Sequence, residues 1–309
     1  MDKPTFEPFE YKPDISVSSR KLYTFNLTKL NKGKPIKNLN YLSAPTILDE
    51  LNEMKPNTRR TYLIAIVSAL KGRPEAKYKK LYTKYYEELM KLNGELKTNT
   101  TKSDAQKENW LEQDEVMAKC DELKGIVDEI GTRRKITPDE YNRLLQAVVL
   151  SLYCLQAPRR NKDYIDMSIV KKTPEECDNM NFLNIVDWEW VFNNYKTQKK
   201  YHQKRLPVPE KLQEIIKVYL THHPMSAEIR KRNPLPVPFL VHQDGKPLAT
   251  STDMTRMLNK IFKGKIGSSM LRNIFLTSKY GDAQKELAED VAAMGTSSET
   301  AMNNYIKHD

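Results

Sequence analysis

One segment limits the fold of this chain more than any other, because only a protein core can accommodate it. A helix-start signal at residues 137–140 (Thr-Pro-Asp-Glu) leads into a run from Ala147 to Leu155 that is apolar except for Ser151. A helix that is apolar nearly all round must be covered on every side. The run is also too short for a membrane span, which needs about 20 residues. The sequence therefore predicts a buried helix inside a globular domain.

The part of the chain before this helix divides into an arm and a small helical domain. Residues 1–40 are rich in Lys, Pro, Asn and Tyr without sustained periodicity, which predicts a flexible arm that is ordered only where it docks on another part of a structure. Three helices are expected over residues 41–100, starting near Ser43, at Pro56 and at Ala76. Their spacing of apolar and basic residues predicts a small basic helical domain, to which the resemblance described below assigns DNA binding.

The remainder is predicted to be a linker followed by a larger domain. Residues 101–136 comprise the linker and one acidic amphipathic helix, from 105 to 130, that packs against the larger domain. Within residues 137–309, strand-like segments at 182–186, 190–195 and 201–208 predict a small antiparallel sheet. Helices are expected at 209–222, 252–262, 268–280, 283–294 and 297–307. The predicted fold class is mainly α, with two helical domains and one small sheet.

Charge is distributed unevenly along the chain and indicates an acidic polymer as partner. The net charge is +11, and residues 1–103 alone hold 20 basic and 11 acidic residues, a net charge of +9. Cys120, Cys154 and Cys177 have neither disulfide-framework nor zinc-ligand spacing. With no apolar leader after Met1, we expect a chain that is not secreted, stays in the cytoplasm or nucleus with its acidic partner, and does not bind a membrane.

Four short segments stand out together in the second half of the chain. They are residues 157–167 (APRRNKDYIDM), 195–201 (YKTQKKY), 268–275 (SSMLRNIF) and 294–307 (MGTSSETAMNNYIK). In order and spacing they resemble the catalytic boxes of the tyrosine recombinase (phage integrase) family, especially its viral and mobile-element members. No single box is specific, and the correct order of all four carries the resemblance.

The resemblance implies a role for one residue in each box. Arg160 and Arg272 would hold the two non-bridging oxygens of one DNA phosphate. Arg160 is preferred to Arg159 because its spacing to an acidic residue and an apolar residue matches the family. Lys196, in the hairpin turn, would protonate the leaving 5′ oxygen, with Lys199 and Lys200 as alternatives, and Tyr305 would be the nucleophile.

The chain departs from the family pattern at two positions. Ser269 stands where the family commonly has His or Lys, and Thr296 stands where it commonly has His or Trp. Neither hydroxyl is a useful base at neutral pH, although each can donate a hydrogen bond to a phosphate oxygen. Thr296 and Glu299 also match a helix capping box, which gives Thr296 a purely structural alternative.

A wider set of basic residues is predicted to contact the DNA backbone. It comprises Arg59, Arg60, Lys77, Lys79, Lys80, Lys84, Arg159, Lys199 and Lys200. The resemblance implies double-stranded DNA as partner, a homotetramer assembled on that DNA, and no cofactor or metal. The implied reaction is strand cleavage and rejoining through a 3′-phosphotyrosyl intermediate.

Three other functions fit parts of this pattern. A relaxing topoisomerase of type IB uses nearly the same boxes and differs in not joining two duplexes. A DNA-binding module that descends from an integrase and lost activity through Ser269 and Thr296 is the main alternative that is not an enzyme. A purely partner-binding helical protein explains neither the box order nor the basic first domain.

Overall fold

The computed structural model describes residues 6–98, 101–131, 133–175, 179–232 and 234–306. It divides into two compact units, Met1–Thr101 and Lys102–Asp309. The protein is mainly helical with one small mixed sheet, which confirms the predicted fold class. Within the described ranges, no helix is both long enough and apolar enough to cross a membrane.

The first unit is a helical domain built around one long basic helix. Its helices are α1 (Val17–Leu30), α2 (Thr46–Asn52), α3 (Pro56–Leu70) and α4 (Ala76–Thr98), with a 3₁₀ turn at Asn40–Ser43. Pro56 at the first position of α3 fixes the backbone for a helix start. The core lies between α3 and α4, where Leu63, Ile66 and Tyr85 are fully buried. The three predicted helices of this unit are therefore confirmed.

Part of the predicted arm over residues 1–40 is a helix that packs on the core of the first unit, a helix that the sequence analysis did not predict. Helix α1 is capped by the Ser16 hydroxyl, which accepts a hydrogen bond from the Ser19 amide. Its Leu27 and Leu30, together with Phe9, are buried in the core of the first unit. Because most other apolar side chains of α1 are exposed, the helix lacks the regular apolar face on which sequence analysis depends.

The second unit is built around the predicted buried helix. Its helices are α5 (Asp104–Asn109), α6 (Gln113–Gly131), α7 (Pro138–Cys154), α8 (Asn161–Ile165), α9 (Gln198–Tyr201), α10 (Glu210–His222), α11 (Ser226–Arg230), α12 (Ser251–Phe262), α13 (Ser268–Ala293) and α14 (Ser298–Thr300). A capping box between Thr137 and Glu140 starts α7. Helices α6, α10 and α12 pack around α7, so it is buried as predicted.

The sheet is larger than predicted and is mixed. Its strands are β1 (Met167–Val170), β2 (Asn181–Asn184), β3 (Glu189–Phe192), β4 (Lys204–Pro207) and β5 (Val237–Pro238), in the spatial order β4-β3-β2-β1-β5. The three predicted strands correspond to β2, β3 and β4 and pair antiparallel. Strand β1 adds to them parallel to β2, and β5 pairs antiparallel with β1.

Two predicted helix boundaries are wrong. The acidic helix expected from 105 to 130 is two helices, because both Ser103 and Glu112 start a helix with their own capping contacts. The two helices expected at 268–280 and 283–294 are one continuous helix, α13. Gly281 does not end it, because one interior glycine costs only about 1 kcal/mol.

The end of the described chain also differs from the predicted helix over residues 297–307. Helix α14 covers only Ser298–Thr300 and continues into a π-helical turn, Ala301–Tyr305. Lys307, the last residue of the predicted helix, lies outside the described residues. Tyr305 is thus the last residue of a short turn instead of a member of a long packed helix.

Candidate active site

The first arginine box forms the connection between the buried helix α7 and the short helix α8. Arg160 is the N-cap residue of α8, with an extended backbone and a side chain that makes no capping bond. Arg159 Nε donates a hydrogen bond of 2.9 Å to Asp163 Oδ2, and its Cζ lies 3.7 Å from the centroid of the Phe192 ring. Arg159 is therefore held against the sheet, whereas Arg160 is not held by such contacts.

Asp163 is the buried centre of this region. Asp163 is only 2% exposed, and its Oδ1 atom has no hydrogen-bond partner among the described atoms. Burial raises the pKa of this carboxyl group, while the positive charges of Arg159, Arg160 and Arg272 act in the opposite direction. Arg160 and Arg272, more than 100 positions apart in the sequence, thus act on the same carboxylate.

The guanidinium groups of Arg160 and Arg272 are available to a ligand. Both residues are half-buried, and neither guanidinium donates a hydrogen bond to any residue that the structure describes. Arg272 lies in the first turn of α13, where Leu271 and Ile274 anchor the helix in the core. Two such groups with unused donors can bind the oxygens of one phosphate or carboxylate.

Asn161, directly after Arg160, fixes the position of α8. The hydroxyl of buried Tyr153 donates to Asn161 Oδ1 at 2.6 Å. The Asn161 amide donates to the Ser251 carbonyl oxygen at 2.8 Å and to Thr255 Oγ1 at 3.1 Å. These bonds join α7, α8 and α12 at the arginine box, so this asparagine has a structural role.

The predicted lysine lies in the turn between β3 and β4. Lys196 is exposed and is followed by helix α9, which carries the exposed alternatives Lys199 and Lys200. The hydroxyl of Tyr195 donates to the His202 carbonyl oxygen at 2.6 Å and closes this turn. The Tyr195 ring centroid lies 5.2 Å from Arg159 Cζ, which places the start of the turn beside the arginine box.

Sequence analysis missed one residue that connects the two boxes. Asn181, which is fully buried, donates to the carbonyl oxygens of Asp163 and Asn194, both at 2.9 Å. Its Oδ1 accepts hydrogen bonds from the backbone amides of Asn193 and Asn194, at 2.9 and 2.8 Å. No pattern could have revealed it, because an asparagine in a short strand has no distinctive spacing.

Ser269 and Thr296, the two departures from the family pattern, lie at opposite ends of α13. Ser269 is exposed and lies in the first turn, one turn before Arg272. Thr296 follows the end of the helix, and its amide donates to the Val291 carbonyl oxygen at 2.9 Å. The predicted capping role of Thr296 is wrong, because the cap of α14 is Ser297, whose hydroxyl accepts from the Thr300 amide.

The structure does not bring Tyr305 to the arginine pair. Arg272 lies near the start of α13, and about 30 Å of continuous helix separates it from the last helical residue, Ala293. Tyr305 follows the turn beyond that end and is 60% exposed. Arg160 and Arg272 both act on Asp163, and Arg159 connects Asp163 to the start of the Lys196 turn, whereas Tyr305 lies beyond the far end of α13.

The basic residues predicted in the first unit fall into two groups. Three are held by partners in the same unit: Arg59 pairs with Glu88 at 2.7 Å, Arg60 donates to Asn93 at 2.6 Å, and Lys77 donates to Asn40 at 2.8 Å. Lys79, Lys80 and Lys84 of α4 are exposed, and their ammonium groups donate no hydrogen bond to the described chain. Only this second group is free to contact a ligand.

Comparison of the chain with protein-family models, with curated proteins and with solved structures gave no match. Within the described ranges there is no group of three or more His, Cys, Asp and Glu residues that could hold a metal ion. Cys120 and Cys154 are buried free thiols, and Cys177 lies outside the described residues. The resemblance to tyrosine recombinases therefore depends on the four sequence boxes alone.

Proposed function

We propose that this protein cleaves and rejoins DNA strands through a tyrosine phosphodiester, as a site-specific recombinase or integrase does. The observation that carries the proposal is that the positive charges of Arg160 and Arg272 both act on the buried carboxyl group of Asp163 and lower its pKa against the effect of burial. Arg160 precedes the first residue of α8 and Arg272 lies in the first turn of α13, and neither guanidinium has a hydrogen-bond partner in the described chain. The neighbouring Arg159 contacts Tyr195 at the start of the turn that carries Lys196. A purely structural role leaves this pair of unused cations unexplained.

In the proposed reaction, the Tyr305 oxygen attacks a DNA phosphorus atom and the bond from phosphorus to the 5′ oxygen breaks. The phenolic proton is lost to solvent, and Lys196 gives a proton to the departing 5′ oxygen. Arg160 and Arg272 stabilise the charge that develops on the non-bridging oxygens. Attack of a second 5′-hydroxyl on the phosphotyrosine restores the DNA backbone and releases Tyr305.

Ser269 and Thr296 have supporting roles in this proposal. Ser269 is exposed on the same first turn of α13 as Arg272, so its hydroxyl can donate a hydrogen bond to the same phosphate. Thr296 lies at the other end of the helix, next to the segment that carries Tyr305. Its hydroxyl can therefore donate a hydrogen bond to a DNA phosphate oxygen where that segment meets the DNA.

Binding to the DNA backbone is assigned to the exposed lysines of α4. Lys80 and Lys84 are four residues apart and therefore lie on one face of the helix. Their ammonium groups, with that of Lys79, provide affinity for phosphates without sequence selectivity. Arg59 and Arg60 are less suited to this task, because Glu88 and Asn93 already hold their side chains.

A DNA-binding module without catalytic activity is the second candidate function. It is favoured by one observation, the exposed position of Tyr305 outside the arginine group. Such a module would keep the basic residues and the phosphate-binding arginine pair. It would form no covalent link to DNA.

A covalent-capture experiment separates the two functions. The substrate is a nicked suicide duplex whose sequence is first selected from a random library by binding to the protein. We expect the wild-type chain to form a protein–DNA adduct and Tyr305→Phe to bind with unchanged affinity but form none. Tyr280→Phe is the matched control, since Tyr280 is also an exposed tyrosine near the end of the chain. Tight binding without any wild-type adduct would instead identify a DNA-binding module.

A further inference from the structure

Two tyrosine rings of the first unit lie stacked on the surface of α4. The ring centroids of Tyr82 and Tyr86 are 5.5 Å apart, and the ring planes differ by only 13°. Tyr82 is half-buried, whereas Tyr86 is 41% exposed. Because aromatic rings attract one another when they stack with an offset, the exposed part of this pair can receive a further flat ring.

The four tyrosines of α4 divide into two structural residues and two that have no evident packing role. The hydroxyl of Tyr78 donates to Asn40 Oδ1 at 3.1 Å, and that of Tyr85 donates to the Leu42 carbonyl oxygen at 2.7 Å. Both of these rings are buried in the core of the unit. The hydroxyls of the stacked pair, in contrast, form no hydrogen bond with the part of the chain that the structure describes.

A cavity adjoins the stacked pair, between the turn that joins α3 to α4 and the first turns of α4. Its volume is about 300 Å³, and its wall includes Arg73, Pro74, Lys79 and Tyr82. Tyr82 therefore belongs both to the stacked pair and to the wall of the cavity. A volume of about 300 Å³ is at the lower limit for ligand sites, so the cavity suits a single flat ring system such as a nucleobase.

One positive charge of the cavity wall is fixed in place. Arg73 is 4% exposed, and its guanidinium donates to the carbonyl oxygens of Ala69, Glu7 and Pro8, at 2.9, 2.9 and 3.1 Å. These neutral acceptors hold the guanidinium without cancelling its charge. The cavity is therefore bordered by a rigid cation that favours an anionic ligand.

A second positive charge lies on the same face of α4 as the tyrosines. Lys79, Tyr82 and Tyr86 follow one another at intervals of three and four residues, the spacing of side chains on one helix face. Lys80 and Lys84 lie on a different face, and Lys79 is exposed. The cavity therefore combines aromatic rings with a free cation, which is the combination that binds single-stranded nucleic acids.

We propose that this cavity binds an unpaired base of single-stranded DNA, which stacks on Tyr82 and Tyr86 while Lys79 contacts an adjacent phosphate. Duplex DNA is excluded as the ligand, because the faces of its bases are covered by neighbouring base pairs. The inference goes beyond the proposed function, since it requires neither Tyr305 nor the arginine pair. In the proposed reaction, such a base becomes available when a cleaved strand leaves its duplex.

Fluorescence anisotropy with a labelled oligothymidylate of about 12 nucleotides tests the proposal on the full chain. Tyr82→Leu and Tyr86→Leu keep an apolar side chain and remove the stacking ring. Each should weaken binding of the oligothymidylate by about 10- to 100-fold and leave binding of a duplex of equal length unchanged. Tyr82→Phe keeps the ring and should bind as the wild-type chain does.

Two further variants complete the experiment. Lys79→Ala should lower the salt slope of oligothymidylate binding by about 0.7, the value for one phosphate of a single strand. Tyr280→Leu is the matched control, because Tyr280 is also exposed and has Lys279 Nζ 5.3 Å from its ring centroid, but belongs to the second unit. It should leave both affinities unchanged.

The outcomes that would overturn the proposal are specific. One is equal affinity of the wild-type chain and both Leu variants for the oligothymidylate. Another is an equal loss of affinity for the oligothymidylate and the duplex, which would indicate a contact to the DNA backbone. Displacement of the oligothymidylate by thymidine 5′-monophosphate at a similar concentration would identify a site for free nucleotides instead. Failure of the wild-type chain to form a covalent adduct would overturn the proposed function and leave this site unaffected.

Discussion

Asn181 donates a 2.9 Å hydrogen bond to the carbonyl oxygen of Asp163. The same side chain accepts hydrogen bonds from two backbone amides just before the Lys196 turn. One buried amide thus links the helix that follows Arg160 to the hairpin that carries the proposed general acid. The relative position of these two boxes depends on it.

Asn181→Ala tests this link. The change leaves several buried backbone groups unpaired, so we expect the free energy of unfolding to fall by about 2 to 4 kcal/mol. The rate of adduct formation should fall by about 10- to 100-fold, because Lys196 loses its position relative to the phosphate. Asn184→Ala is the matched control: Asn184 is equally buried and accepts from the Val186 and Asp187 amides at the other end of β2. It should lower stability comparably and leave the rate intact in the folded fraction. Equal rate losses in both variants would contradict a positioning role.

The two neighbouring arginines of the first box should separate into a structural and a functional residue. Arg159→Ala leaves Asp163 buried without its ion-pair partner, so we expect a loss of about 3 kcal/mol or more in urea unfolding. Arg160→Ala removes no hydrogen bond made by its side chain, and stability should change by less than about 0.5 kcal/mol. Adduct formation should disappear in the Arg160 variant. A stable Arg159→Ala protein that has lost the adduct would reverse the assignment.

The helices that the sequence predicted well are those whose patterns are local. The apolar run in α7 and the Thr137 capping box determine a helix without reference to the rest of the chain. Gly281 was misleading for the opposite reason. A helix can either continue through a glycine or end at one, and α13 continues through Gly281 to Ala293. The role of Asn181 could not be predicted from the sequence, because its hydrogen bonds are to backbone groups that only the fold brings together.

The exposed lysines of α4 should determine the salt dependence of DNA binding. Lys80→Ala and Lys84→Ala should each lower the slope of log affinity against log salt concentration by about one, because each removes one phosphate contact. Lys124→Ala is the control with the same change in charge, since Lys124 pairs with Asp128 on the acidic helix α6. Affinity titrations at four salt concentrations measure the slope. An equal change in the control would show that only net charge matters.

A buried histidine should make the stability of the second unit depend on pH. Nδ1 of His223 accepts from the Met225 amide at 3.0 Å, and Nε2 lies 3.2 Å from the Pro238 carbonyl oxygen. Burial lowers the pKa of His223 from 6.5 to about 4. The unfolded chain therefore takes up a proton at a higher pH than the folded chain. The stability is complete above pH 6.5 and is lost as the pH falls to about 4, with a total loss of about 3 kcal/mol.

Urea unfolding between pH 7 and pH 4.5 measures this loss. His223→Asn keeps an acceptor for the Met225 amide and removes the titrating ring, so it should flatten the dependence on pH. His202→Asn is the control, because His202 is exposed in the hairpin turn. An unchanged slope in the His223 variant would mean that other groups cause the acid sensitivity.

Because α13 is one continuous helix, the number of its residues sets the direction in which the terminal turn, Ala301–Tyr305, leaves it. Each residue added to an α-helix rotates everything beyond it by about 100° and moves it by about 1.5 Å. One residue inserted after Gly281 would thus point Tyr305 to a different side of the helix, while seven inserted residues would restore its direction and displace it by about 10 Å. The direction of the terminal turn and its distance from the start of α13 are therefore coupled, because the number of residues in this one helix sets both.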